Sequence, residues 1–268
     1  MKKFASFALA ALLVTALSVP AAAAPQNFEA ASGTAAIDGV MDDAYKAAKE
    51  IKIENYLKGS AKTKGTARVL WDSENLYVFF DVTDPALSNA PHAQHMYETD
   101  SVEFFVDLAA APGSVMSVHA GHWTAYAPIP GAKIGTWGGR GKHQAANNAK
   151  ATYAAKTNDN GWTVEMKIPF GADYTPKAGA VIGAAFHINS DEDGKQTRDY
   201  EIFAGDAAAQ EKAWDTSNNY DKLTLTDAVY VKPVEKPEAP ATADMGVITA
   251  LASLAASGAA VLSLKKRK

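Results

Sequence analysis

Tyr97-Glu98-Thr99-Asp100-Ser101-Val102-Glu103-Phe104-Phe105-Val106-Asp107 is the stretch that decides the fold class. Val102, Phe104 and Val106 fall on one side at the two-residue period of a strand, with Ser101, Glu103, Phe105 and Asp107 on the other. Such a strand buries one face in a core and offers Glu103 on the other. Tyr97 and Glu98 come just before it, where a loop holds an aromatic ring and a carboxylate beside the offered face. A flat ring next to hydrogen-bonding groups suits a sugar, which has an apolar C–H face and a hydroxyl edge. The alternative is a sandwich strand with a solvated acidic face.

Outward from this stretch the same period recurs. Ala67, Val69 and Trp71 alternate with Thr66, Arg68 and Leu70, Asp72-Ser73-Glu74-Asn75 supplies turn chemistry, and Leu76 to Val82 is a run of β-formers that Pro85 stops. Trp162 to Ile168 pairs with Thr152 and Tyr153 across Asn158-Asp159-Asn160-Gly161. Val115 to Tyr126, Val181 to Asn189, Tyr200 to Phe203 and Leu223 to Leu225 read as further strands, as do Ile51 and Ile53. Asp42 and Asp43 open a short helix that turns Tyr45 and Ala48 inward, while Gly131 to Gly141 reads as a loop. Short strands, turns between them and no long amphipathic helix predict an all-β fold, an antiparallel immunoglobulin-like β-sandwich of jelly-roll type.

The ends belong to no domain. Lys2 and Lys3, an apolar run from Phe4 to Val19 and then Pro20 and Ala21 to Ala24 give the order of a secretory signal peptide, residues 1–23, with cleavage expected after Ala22 or Ala23. Residues 231–240 form a Pro-rich linker. Met245 to Leu264 is an uncharged run long enough for a transmembrane helix in the precursor, closed by Lys265, Lys266, Arg267 and Lys268. The body, residues 26–230, is then expected outside the cell. It has no cysteine, so no disulfide supports it. Without Lys2, Lys3, the four basic tail residues and Asp244, 20 basic and 29 acidic residues remain, a net charge of −9. That excludes nucleic acid as a partner.

Four blocks in order resemble the family 9 carbohydrate-binding modules, a DOMON-like β-sandwich family. They are Ile37-Asp38-Gly39 with Asp42, Asp43 and Tyr45; Val69 to Asp72 with Leu76-Tyr77-Val78 and Asp84-Pro85; Glu98 to Asp107; and Trp162 to Pro169 with Val181-Ile182-Gly183 and Asn189. The resemblance implies non-catalytic binding of a polysaccharide or oligosaccharide, its terminus gripped between two aromatic rings. Position by position it implies Tyr97 and Trp214 as the rings, Glu103 as the acidic ligand, Asn189 as the amide ligand and His187 where the family has glutamine. The family's sugar-binding arginine is replaced by Ser117, a departure that bears on reducing-end recognition. No cofactor is expected, although the resemblance implies structural calcium, for which Asp191, Glu192 and Asp193 are candidates beside the alternative of a solvated turn.

Pro240-Ala241-Thr242-Ala243-Asp244 before the apolar run and basic cluster resembles a sorting signal, residues 241–268, which implies a sortase-type transpeptidase cutting after Thr242. Its first and last motif positions depart from the common form. Unprocessed, the same run is a membrane anchor. Two other functions stand against glycan binding. Glu98 and Glu103 are the carboxylates a glycoside hydrolase would use, and the chain could also be accessory to such hydrolysis. His92, His95 and Met96, with His119 and His122, are what a haem-binding or redox domain of this sandwich type would use, without a Cys-x-x-Cys-His attachment site.

Overall fold

Asp72 closes the first hairpin by itself. Its Oδ1 accepts the N–H groups of Glu74 and Asn75, both at 2.7 Å, and its Oδ2 accepts the Tyr77 hydroxyl at 2.6 Å. The computed structural model describes residues 24–109, 119–132, 147 and 150–233. The signal peptide, Ser117, the linker beyond residue 233, Thr242 and the apolar run 245–264 lie outside the described residues, as does most of the glycine-rich loop. No helix among the described residues is long and apolar enough to cross a membrane.

In the first of two sheets, β4 (Lys64–Trp71), β5 (Asn75–Thr83), β9 (Gly161–Pro169) and β8 (Thr152–Asn158) pair in that order, with β2 (Ile51–Ile53) on the other side of β4. In the second, β7 (Ala120–Tyr126) pairs with β6 (Ser101–Asp107) and β6 with β10 (Val181–Ser190). The far side of β10 is shared by β12 (Asp221–Leu225) and β11 (Tyr200–Phe203), and β3 (Asn55–Tyr56) adds to β11. The strand β1 (Asn27–Ser32) joins the sheets: Asn27 to Ala30 pair with β12, and Ala31 and Ser32 with the end of β4. Both pairings of β1 are parallel, which corrects the expectation of a purely antiparallel sandwich. A strand that crosses between sheets takes its direction from whichever edges are open at each end. The two hairpins, β4–β5 and β8–β9, form where the turn residues predict them.

The core lies between the sheets. Val69, Trp71, Val78, Phe80, Val82, Trp162, Val164 and Met166 come from one side and Val102, Phe104, Val106, Ile182, Phe186 and Ile188 from the other. Phe186 meets Phe80 at 6.2 Å and Phe104 at 5.2 Å between ring centroids, so one aromatic cluster ties both sheets together. Such pairs add about 0.5–1.5 kcal/mol to the area term. On the outer face of the first sheet Leu70, Tyr77 and Phe79 are roofed by Tyr45 and Ala48, and the Tyr45 hydroxyl donates to the buried Glu165 at 3.1 Å. Glu165 also accepts the N–H groups of Asp38 and Gly39, so the Ile37-Asp38-Gly39 block is a docking loop.

Asp100, fully buried at the start of β6, accepts the N–H groups of Ser88 and Asp191 and so clamps the loop after β5 to the end of β10. Burial, reinforced by the Asp84 carboxylate, pushes its pKa up to about 7. A carboxyl raised in this way binds its proton more tightly folded than unfolded, where it titrates near 4. Its stabilisation is therefore complete below about pH 4 and is lost as pH rises through 7. The melting temperature is expected to fall between pH 5 and pH 8, and Asp100→Asn to flatten that slope; equal slopes in the two proteins would contradict the assignment.

Candidate functional site

The outer face of β6 is covered instead of solvated. All seven residues of β6 are buried, because Phe105 packs with Ala185, Ala213 and Tyr220 in a second, smaller apolar cluster. Strand register then builds a polar floor beside that cluster. Glu103 stands opposite Thr124 of β7 and His187 of β10. Its Oε1 accepts from His122 Nε2 at 2.7 Å and Thr124 Oγ1 at 3.3 Å. Burial opposes the charge on Glu103, but His122, and after it His187 and Arg198, outweigh that cost and hold its pKa well below the usual carboxylate range. Glu103 is thus an ionised acceptor on a buried floor. His122 lies flat on Phe105, with ring centroids 3.9 Å apart.

Above this floor opens a cavity of about 660 Å³. Its wall includes Tyr97, Trp214, Arg198, Glu201 and Lys58, with Glu103, Phe105 and His122 at the base. Tyr97 stands on the 3-10 turn Met96–Glu98, which Met96 pins by inserting into the main core. Trp214 follows the short helix α1 (Ala207–Gln210), and its neighbour Ala213 is buried under the Tyr220 hydroxyl, which donates to the Ala213 carbonyl at 2.9 Å. Beside that anchor Trp214 is 51% exposed, a large apolar ring outside the core clusters of the described residues.

Of the five residues predicted for sugar binding, Tyr97, Glu103 and Trp214 line the cavity. His187 and Asn189 lie beneath it and are almost fully buried. His187 Nδ1 donates to Glu201 Oε1 at 3.0 Å, and Asn189 bridges Ser101 Oγ and the Arg198 guanidinium. The sequence reading did not place Arg198, Glu201 or His122 at this cavity, which all three line. The available signal was small: a single basic residue between the acidic turn and β11, and a histidine one position out of phase with Trp123.

Two groups of described residues bring three possible metal ligands within 4.8 Å of one another: Glu103, His187 and Glu201, and Asp191, Asp193 and Asp199. In the first, His122 and Arg198 already face the carboxylates. In the second, Asp199 takes the place predicted for Glu192, which instead accepts the N–H groups of Lys62 and Thr63. Of the residues considered for haem, Met96 is in the core and His122 is bonded to Glu103, while His92 and His95 stack on each other at 5.4 Å. Of the carboxylates considered for hydrolysis, Glu98 accepts the Arg198 N–H.

The chain is similar to endo-1,4-beta-xylanase A of Thermoanaerobacterium saccharolyticum, 31% identical over 62% of this chain and 13% of the xylanase. It is also similar to exoglucanase XynX of Acetivibrio thermocellus, 32% identical over 62% of this chain and 14% of that protein. The chain therefore spans only a small part of these relatives. Among solved structures, a family 9 carbohydrate-binding module from Caldicellulosiruptor kristjanssonii in complex with cellotriose has the same fold, with a TM-score of 0.64 and 22% identity over 79% of this chain and all of that one. Residues 37–228 match the family described as carbohydrate family 9 binding domain-like, and with that span the chain belongs to this family of non-catalytic carbohydrate-binding domains.

Proposed function

We propose that the protein holds a glycan at the bacterial cell surface through the cavity above Glu103. The observation that carries the reading is an exposed Trp214 sharing one cavity with Tyr97 over a buried, ionised carboxylate. A pyranose lays its C–H face on Trp214 in the cavity that Tyr97 also lines, and Glu103 accepts hydroxyl protons through a charge-assisted bond. His187 and Asn189 act from below by fixing Glu201 and Arg198. Cellotriose and glucose, the ligands of the structural neighbours, are the first sugars to try. A glycan array with the purified chain, followed by calorimetric titration, tests the reading; no binding to any oligosaccharide would sink it. The xylanase and exoglucanase relatives favour a supporting role in polysaccharide breakdown.

For the ends of the chain, the signal peptide, Pro-rich linker and sorting signal place this domain outside the cell and fix it through Thr242 to the wall. Release by a wall-digesting enzyme, with Thr242→Ala moving the protein to the detergent fraction, is the expected result. Extraction by detergent alone from normal cells would contradict it. For calcium, Asp191, Asp193 and Asp199 offer the hard oxygen donors the ion takes. Asp191 is buried with its oxygens already accepting the N–H groups of Lys195 and Gln196, and the Lys195 ammonium competes at Asp193. A melting temperature that drops on adding a chelator and recovers with calcium supports the site; an unchanged melt removes it.

A further inference from the structure

The cavity wall carries a guanidinium with more donors than the protein uses. The Arg198 N–H donates to Glu98 Oε2 at 3.0 Å, which ties this residue to the turn carrying Tyr97. Its Nη1 donates to Asn189 Oδ1 at 2.8 Å and pairs with Glu201 Oε2 at 3.1 Å. Neither partner can swing away. Asn189 is buried, with its Nδ2 on Ser101 Oγ, and the other Glu201 oxygen is held by His187. A guanidinium has five N–H groups in a rigid fork, of which two are on Nη1. The N–H groups of Nε and Nη2 have no protein partner among the described residues, and the side chain, 28% exposed, lines the cavity.

The same guanidinium lies over the Tyr97 ring, 5.3 Å from its centroid, and the His95 imidazole stacks on that ring at 5.4 Å. A ring engaged in this way is a platform for a cation before it is an open face for a sugar. Trp214 lines the same cavity. We propose, building on the carbohydrate reading, that Arg198 is a sugar-binding residue that sets the specificity of this site, and that Tyr97 is a positioning residue acting through it. The Nε and Nη2 N–H groups point in parallel and match two neighbouring oxygens, such as the vicinal hydroxyls of a pyranose. A uronate carboxylate would fit the same fork, but Glu103, Glu201, Glu211 and Asp199 border the cavity and oppose an anion. The ligand is therefore a neutral sugar with adjacent free hydroxyls.

Calorimetric titration of the full chain with cellotriose tests this on Arg198→Met, Tyr97→Leu, Tyr97→Phe and the Arg198→Met/Tyr97→Leu double variant. Arg198→Met is expected to weaken binding about tenfold. Tyr97→Leu is expected to weaken it several-fold alone and to add nothing in the Arg198→Met background, the mark of two residues acting as one unit. Tyr97→Phe, which keeps the ring under the guanidinium, is expected to restore wild-type binding. A trimer of galacturonic acid is expected to bind more weakly than cellotriose. Wild-type affinity in Arg198→Met, or an equal loss from Tyr97→Leu in both backgrounds, overturns the proposal, as does tighter binding of the uronate. If Arg198→Met melts early, Arg198→Lys decides, since it keeps the charge but loses the fork and is expected to bind weakly too. A wild-type chain that binds no neutral oligosaccharide brings down the carbohydrate reading itself, and this inference with it.

Discussion

Trp214→Ala is expected to abolish measurable sugar binding while leaving the melting temperature nearly unchanged. The two effects separate because the indole is exposed and the anchoring beneath it belongs to other residues. Ala213 is buried against Phe105 and Tyr220, and the Tyr220 hydroxyl holds its carbonyl. Removing the exposed ring therefore leaves no cavity in a packed region, and surface truncations of that kind stay within about 0.5 kcal/mol. For the ligand the ring is the largest apolar side chain among the described residues that line the cavity. Truncating a central aromatic contact costs about 2–4 kcal/mol of binding, a thirtyfold loss or more, enough to lose a weak single-site ligand altogether. Calorimetry on the variant beside a thermal melt reads both quantities. A melt lowered in step with the lost binding would mean that Trp214 is structural, and the site would have to be redrawn.

Trp162→Ala is expected to do the reverse. This indole is fully buried between the sheets, and its Nε1 donates to Asp84 Oδ2 at 2.8 Å. Truncating it opens a large core cavity, for which tryptophan and phenylalanine replacements cost about 3–5 kcal/mol. It also takes a donor from a buried carboxylate that lies near Asp100 and adds to the strain there, worth about a further 1–3 kcal/mol. Trp162→Phe keeps most of the volume and loses only the N–H, so it is expected to show mainly the second loss. Chemical denaturation measures both, and the folded fraction should bind sugar as the wild type does. A Trp162→Ala protein within about 1 kcal/mol of wild type would contradict the packing described for the core.

These two tryptophans also show how far sequence reading reaches. Trp162 sits in a strand beside a tight turn, and both signals are local, so its strand was legible. The β4–β5 hairpin was legible for the same reason, since Asp72 and Asn75 make the turn through bonds to each other. Alternation likewise divided β6 into two faces. It could not say that the second face is roofed by Ala213 and Tyr220, because that contact closes only in the folded chain. The same distance hid β1, a short run with two alanines whose partner β12 lies at the other end of the domain; Gln26 bonds to Asp221, 195 positions away. Within the site, Tyr97 and Glu103 came from the strand reading as well as from the family resemblance, Trp214 from the resemblance alone, and the three share the cavity. Arg198 sits in a polar turn that has no periodicity to read, and only the Asn189 and Glu201 contacts give it a direction.

The placement of β12 has a mechanical consequence. It lies between β1 and β10 instead of at a sheet edge, and beyond its last residue, Leu225, only Thr226 and Ala228 still bond to β1 and Trp71 before the first compact unit ends at Tyr230. Tethered through its C-terminus as proposed, and pulled by a glycan seated over β6 and β10, the protein would carry the load along the axis of β12. Force in that direction shears the hydrogen bonds on both flanks of the strand together, where an edge strand pulled sideways would open them one after another like a zip. Pulling single molecules between the C-terminal end and an immobilised glycan is therefore expected to rupture the sugar contact first, with the domain still folded. With the proposed anchoring, the sugar contact would then be the link that releases and rebinds while the fold holds.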